Sequence, residues 1–103
     1  MAYDEAHAYA IILGDAFEDR KEVTDYINGV PEITYWYACM EQCVFCASKL
    51  SAREISEKLA AKFPKRHLLV TRVPADSQGW LPHQAWRVIS HPHDPRLPKP
   101  PQQ

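Results

Sequence analysis

Cys39, Cys43 and Cys46 come closest to a reactive set by residue type and spacing. They form C-x3-C-x2-C, with Phe45 before the last cysteine. Three thiolates at such spacing could hold three irons of a four-iron cluster and leave one open. Zinc is the weaker version of the idea and needs a fourth ligand, for which His7 or His67 is available. Both chemistries require the sulfurs to converge. Cys43 to Ala47 is a short apolar run that predicts a strand, and residues three apart in a strand point to opposite faces. The spacing therefore predicts small apolar side chains in packing roles, with the iron–sulfur cluster disfavoured and adventitious zinc as the alternative. His91-Pro92-His93-Asp94 is a loose chelating sequence in a proline-rich tail. Asp15 is the other candidate, an acid at the end of the first apolar run. By position alone it could, like Asp19, begin the following helix.

The elements that must position these groups follow from pattern. His7 to Leu13 is an apolar run closed by Gly14-Asp15, and it predicts a buried strand. Glu18 to Asn28 predicts a helix. Val23, Tyr26, Ile27 and Val30 make its apolar stripe, its first turn is acidic, and Asn28-Gly29 with Pro31 ends it. Ile33 to Met40 is β-branched and aromatic and predicts a strand paired with the next one through Glu41-Gln42. That connection lacks the Asn-Gly or Gly-X signal of the best two-residue turns. Ser51-Ala52-Arg53-Glu54 is a capping box. The helix it opens runs to Phe63 with Ile55, Leu59 and Phe63 on one face, an i,i+4 pair at Glu54 and Lys58, and Pro64 as its stop. Arg66 to Val73 predicts the fourth strand. Pro82 suits the first position of a short helix with Ala85, Trp86 and Ile89 on one face, expected near the last strand. The order is β-α-β-β-α-β plus one helix. It predicts an α+β, ferredoxin-like domain over residues 1–90, with both long helices on one face of a four-stranded antiparallel sheet.

From His91 onward five of thirteen residues are proline, which predicts a disordered tail over 91–103. Pro95-Arg96-Leu97-Pro98 lacks the flanking base of a proline-rich docking motif. The chain has 103 residues, 46% of them hydrophobic and 24% charged, enough for one core. Its apolar segments are too short to span a membrane, and the acidic start, Met1 to Glu5, lacks a signal peptide's positive region. Together with an odd cysteine count, this points to the cytoplasm. The net charge of −1 argues against a simple polyanion binder. The charge is segregated, however. Acids outnumber bases eight to two over residues 1–32, and bases outnumber acids six to two over 49–66. The two helix faces are either merely solvated or able to steer association.

Tyr35 to Leu59, with its aromatic strand, second apolar strand and helix opened by Leu50-Ser51-Ala52, resembles the centre of the SinR-like family of small bacterial proteins. Leu68 to Trp86 is similar to the same family through Gly79-Trp80-Leu81-Pro82 and Ala85-Trp86. Roughly half the chain is covered. The resemblance implies a ferredoxin-like fold, shared with the CRISPR-associated adaptation endonuclease and virulence-associated protein D, which are dimers with ties to nuclease activity. In those relatives an acid closing the first strand faces its dimer mate, and the pair can hold a divalent metal. That would make Asp15 the catalytic, metal-binding residue, with Mg or Mn activating water. Gly14 stands where the family's acid is expected, and a one-residue slip turns a strand residue to the other face.

Two readings of function follow. One is a homodimer that binds or processes nucleic acid, a metal-dependent ribonuclease in its sharpest form, with Lys58, Lys62, Lys65 and Arg66 on phosphates. The other is a non-enzymatic protein–protein interaction module of a homodimer. A single four-stranded sheet leaves an open face and edges to be covered. Tyr35, Trp36, Trp80 and Trp86 are the expected contacts across the dimer or within the packed domain.

Overall fold

The computed structural model describes residues 6–17, 19–73 and 78–92. The run from His7 becomes β1 (His7–Leu13), a strand with a neighbour on each side. Ala8, Tyr9, Ala10 and Ile11 are all buried, as an unbroken apolar run requires when both faces of a central strand are covered.

Helix α1 (Lys21–Ile27) is shorter than the pattern predicts at its start. The Asp19 carboxylate accepts the Lys21 amide at 2.9 Å in a local turn just before the helix, and Glu18, where the pattern begins it, lies outside the described residues. At its end no left-handed glycine is used. The Gly29 and Val30 amides instead donate to Tyr26 and Ile27 three residues back, tightening the last turn before Pro31.

Strands β2 (Ile33–Met40) and β3 (Cys43–Ser48) form the expected hairpin. The capping box opens α2 (Ala52–Lys62), with the Glu54 amide donating to Ser51 Oγ and the Ser51 amide donating to Glu54 Oε1. Because the cap engages the Glu54 carboxylate, the i,i+4 ion pair on this helix is Arg53 with Glu57, not Glu54 with Lys58. Pro64 stops the helix. Lys65, at a φ of 65°, turns the chain into β4 (Leu68–Arg72).

The sheet order is β2-β3-β1-β4 with every pairing antiparallel. The molecule is thus α+β, with one four-stranded sheet and three helices, and is compatible with a small ferredoxin-like fold. Val23, Ile27, Ile55 and Leu59 from α1 and α2 close over Tyr9, Ile11, Val44 and Cys46 on one face of the sheet.

The third helix, α3 (His83–Ser90), lies over β3, β2 and β1, not beside the last strand. Ala10 and Ala47 are small enough to leave a trough there, and Ala85 and Val88 share one buried cluster with them. Gln84 Nε2 donates to the Tyr35 hydroxyl at 2.9 Å and fixes the helix above β2. Among the described residues no helix is long and apolar enough to cross a membrane. The predicted tail lies, from His93 on, outside the described residues.

Candidate functional site

Strand alternation separates the three thiols. Cys46 packs in the core beneath α1 and α2, whereas Cys39 and Cys43 border the cluster under α3. Burial pushes the Cys46 thiol up to about 12. The Cys43 thiol is raised first by burial and then by Cys39 nearby. Burial also raises the Cys39 thiol, against the lowering pull of its own backbone hydrogen bond and of Arg20. All three thus favour the neutral thiol, the less reactive form, most strongly at Cys46. The histidines do not complete a set. His7 starts β1 opposite Ser48, while His67 meets Gly14 beyond the other end of that strand. Among the described residues no three His, Cys, Asp or Glu side chains gather to hold a metal.

Asp15 is exposed just past β1, and its Oδ1 accepts a long 3.5 Å contact from Gln42 Nε2. The Gly14 amide donates to the His67 carbonyl at 2.9 Å, so Asp15 shares one end of the molecule with Lys65, Arg66 and His67. A Cβ at position 14 would sit 2.9 Å from that carbonyl oxygen. Glycine there reflects this close backbone approach, and an acid would not fit without displacement.

Arg66 is held inward. Its Nη1 donates to Glu22 Oε1 at 2.9 Å, and its guanidinium lies 5.1 Å from the Phe17 ring centroid and 5.4 Å from that of Phe63. It therefore acts as a strut from the 63–67 turn to α1. Lys62 lines a groove between the long helices together with Glu22 and Asp25. The acidic and basic helices thus partly neutralise one another within the chain. Lys58 is half-buried on α2, and Lys65 is exposed.

The aromatic candidates divide in the same way. Tyr35 and Trp36 are 0% and 3% exposed and point to opposite faces, Tyr35 beneath α3 and Trp36 toward the helical core. Trp36 Nε1 donates to Asn28 Oδ1 at 3.0 Å. Burial raises the Tyr35 hydroxyl pKa, with the Gln84 hydrogen bond opposing it. Trp86 is half-buried on α3, whereas Trp80 is 100% exposed.

The sequence pattern did not single out one further surface. Met40 pairs with Cys43, Cys43 with Ile12, and Ile12 with Leu69, so one unbroken row crosses all four strands. Directly paired residues share a face, and this is the face that carries α3. Yet Met40, Ile12 and Leu69 are 41%, 44% and 57% exposed. An eight-residue helix is only about 12 Å long. A four-stranded sheet is about 14 Å across between its outer strands, and strands of six residues run about 20 Å. Helix α3 can therefore close only one half of the face. The length of the segment from Pro82 to His91 was the available signal. The apolar run of β1 hid it, because Ile12 reads as core there.

The fold and this row define a class, a small α+β domain with one sealed sheet face and one half-open apolar face. Comparison with known family models, curated proteins and solved structures finds no match to the chain.

Proposed function

We propose that the chain is a ferredoxin-like, non-enzymatic protein–protein interaction module that forms a homodimer through the uncovered half of its sheet. The observation that carries this reading is the row of Met40, Cys43, Ile12 and Leu69, apolar, in register and open to solvent at three positions. Scattered exposed apolar residues are ordinary, whereas apolar residues that adjoin one another across a sheet face support a contact surface. The SinR-like resemblance around Trp80 and Trp86 agrees with a dimer. The internal ion pair of Arg66 with Glu22 and the mixed charges around Lys62 leave less free positive charge for a polyanion. Light scattering at micromolar concentration tests the reading. The expected mass is that of a dimer, reduced to a monomer by Leu69→Glu. A clean monomer for the unaltered chain rejects it.

A second reading, nucleic-acid binding or metal-dependent cleavage, is favoured by one observation. Asp15 shares an end of the molecule with Lys65, and Lys58 and Lys62 lie on the adjoining helix. In that reading these bases and Arg66 meet phosphates, and Asp15 holds Mg or Mn together with a second copy. Incubation with RNA and DNA, with and without these metals, tests it alongside Asp15→Ala. Cleavage that survives the substitution removes Asp15 from the chemistry. Absence of both cleavage and salt-sensitive binding removes the reading.

A further inference from the structure

We infer that Cys39, Met40 and Cys43 form a binding site for a soft monovalent cation, copper(I), at the tip of the β2–β3 hairpin. The site is separate from the dimer reading, because a single chain supplies every ligand.

The hairpin register brings the three sulfurs together. Between the pairs Tyr37–Phe45 and Met40–Cys43, β2 supplies Ala38 and Cys39 against Val44 alone, so it carries one extra residue. In an even strand Cys39 and Met40 would point to opposite faces. The extra residue removes that separation. Cys39 and Cys43 both border the cluster beneath α3, and Met40 shares the face of Cys43, its direct partner. Directly paired side chains start about 4.5–5.5 Å apart at Cβ, within reach of one shared ion. The two thiols are close enough for a charge on Cys39 to raise Cys43. The approach from solvent is open, since Met40 is 41% exposed and both cysteines are half-buried.

The donors choose the ion. Thiolate and thioether sulfur select copper(I) over harder cations. Among the described residues no imidazole or carboxylate joins the two thiols to make a three-residue set, so the four ligands of a structural zinc site are not met. Cys46 packs on the opposite side of the sheet and cannot contribute. Two thiolates around one monovalent cation leave a surplus negative charge. Arg20 answers it. Its positive charge favours the Cys39 thiolate, and its Nη1 donates to the Met40 carbonyl at 3.0 Å, which steadies the strand that carries two of the ligands. Burial keeps both thiols protonated in the free chain, so loading releases two protons and the affinity falls as pH falls.

Anaerobic titration with copper(I), in competition with the chromogenic chelator bicinchoninate, tests the site. The expected result is one ion per chain. Cys39→Ser and Cys43→Ser should each abolish tight binding. Met40→Leu and Arg20→Gln should each weaken it by at least about 10-fold, the loss seen when a group that supports a metal is removed. Cys46→Ala should leave it unchanged. Circular dichroism verifies that the variants keep the fold. A second measurement needs no variant: in the unaltered chain the bound ion should protect Cys39 and Cys43 from a soluble thiol reagent, read by peptide mass mapping. A chain that cannot compete with the chelator overturns the site, as does tight binding that survives either serine substitution. An undiminished affinity in Met40→Leu overturns the three-sulfur set, and zinc held as tightly as copper(I) overturns the choice of ion.

Discussion

The two faces of the sheet use the same kinds of side chain to different ends. Under α1 and α2, Ile11, Val44, Ile55 and Leu59 are at most 1% exposed, because two helices, the seven-residue α1 and the eleven-residue α2, share the work of covering that face. Under α3, Tyr35, Ala47, Ala85 and Val88 reach the same level of burial, but the closure stops partway across. Leu59 and Leu69 show the difference at a single residue type, one 0% and the other 57% exposed. An apolar side chain stabilises the fold only where a neighbouring element removes it from water. The first face therefore carries stability, and the second leaves part of its apolar surface without that gain.

The contrast is broken most severely at its two leucines. Leu59→Ala should cost about 2–5 kcal/mol of unfolding free energy, because the lost methyls leave a void among packed neighbours. That is a large part of the roughly 5–15 kcal/mol available to a small domain. Leu69→Ala should change monomer stability by less than about 0.5 kcal/mol. Urea titrations of both variants at a concentration where the chain is monomeric provide the comparison. Equal losses would erase the distinction between the faces.

Gly14→Ala should come next, at about 1–3 kcal/mol, since the new methyl meets the His67 carbonyl and one backbone must shift. The same titration measures it, and an unaltered midpoint would show that the approach of β1 to β4 is looser than 2.9 Å implies. Gln84→Ala should cost about 1 kcal/mol by removing the donor to Tyr35 and loosening α3. Amide exchange should then rise in α3 before it rises in α2, and uniform acceleration would count against a separately anchored helix.

The thiols sharpen the comparison chemically. A soluble thiol reagent at neutral pH should modify Cys39 and Cys43 in the native chain and reach Cys46 only after unfolding. Because the folded pKa of Cys46 lies above the ordinary 9.0, its contribution is fully present below pH 9. It is lost as pH rises toward about 12. Cys46→Ala should flatten the alkaline decline in stability over that window. Tyr35, also raised, adds a decline above its ordinary 10.0 that the variant retains.

Most of the backbone was legible because its cues are local. The capping box at Ser51, the stop at Pro64 and the period of His7–Leu13 and Ile33–Met40 each depend on a few neighbouring residues, and the strands and α2 fall within two residues of the pattern. The placement of α3 was not legible, because it depends on a trough formed by Ala10 and Ala47, thirty-seven positions apart in sequence. The opposed faces of Cys43 and Cys46 followed from strand period alone. The row through Ile12 did not, because exposure is set by what fails to cover a residue and not by the residue itself. Trp80 was expected with Trp86 among the packing or dimer contacts, yet it lies before Pro82, the cap of α3, and stays fully exposed.

The β2 margin has its own consequence. Its pairing with β3 slips between Tyr37 and Met40, and Arg20 Nη1 donates to the Met40 carbonyl at 3.0 Å from outside the sheet. An incoming strand would find the end of that margin bent and one acceptor already taken. Strand-by-strand growth, which has no natural end, is obstructed there, while contact through the sheet face stays open. A substitution that frees the Met40 carbonyl, such as Arg20→Ala, should reopen that margin to strand pairing and raise the tendency to form fibres.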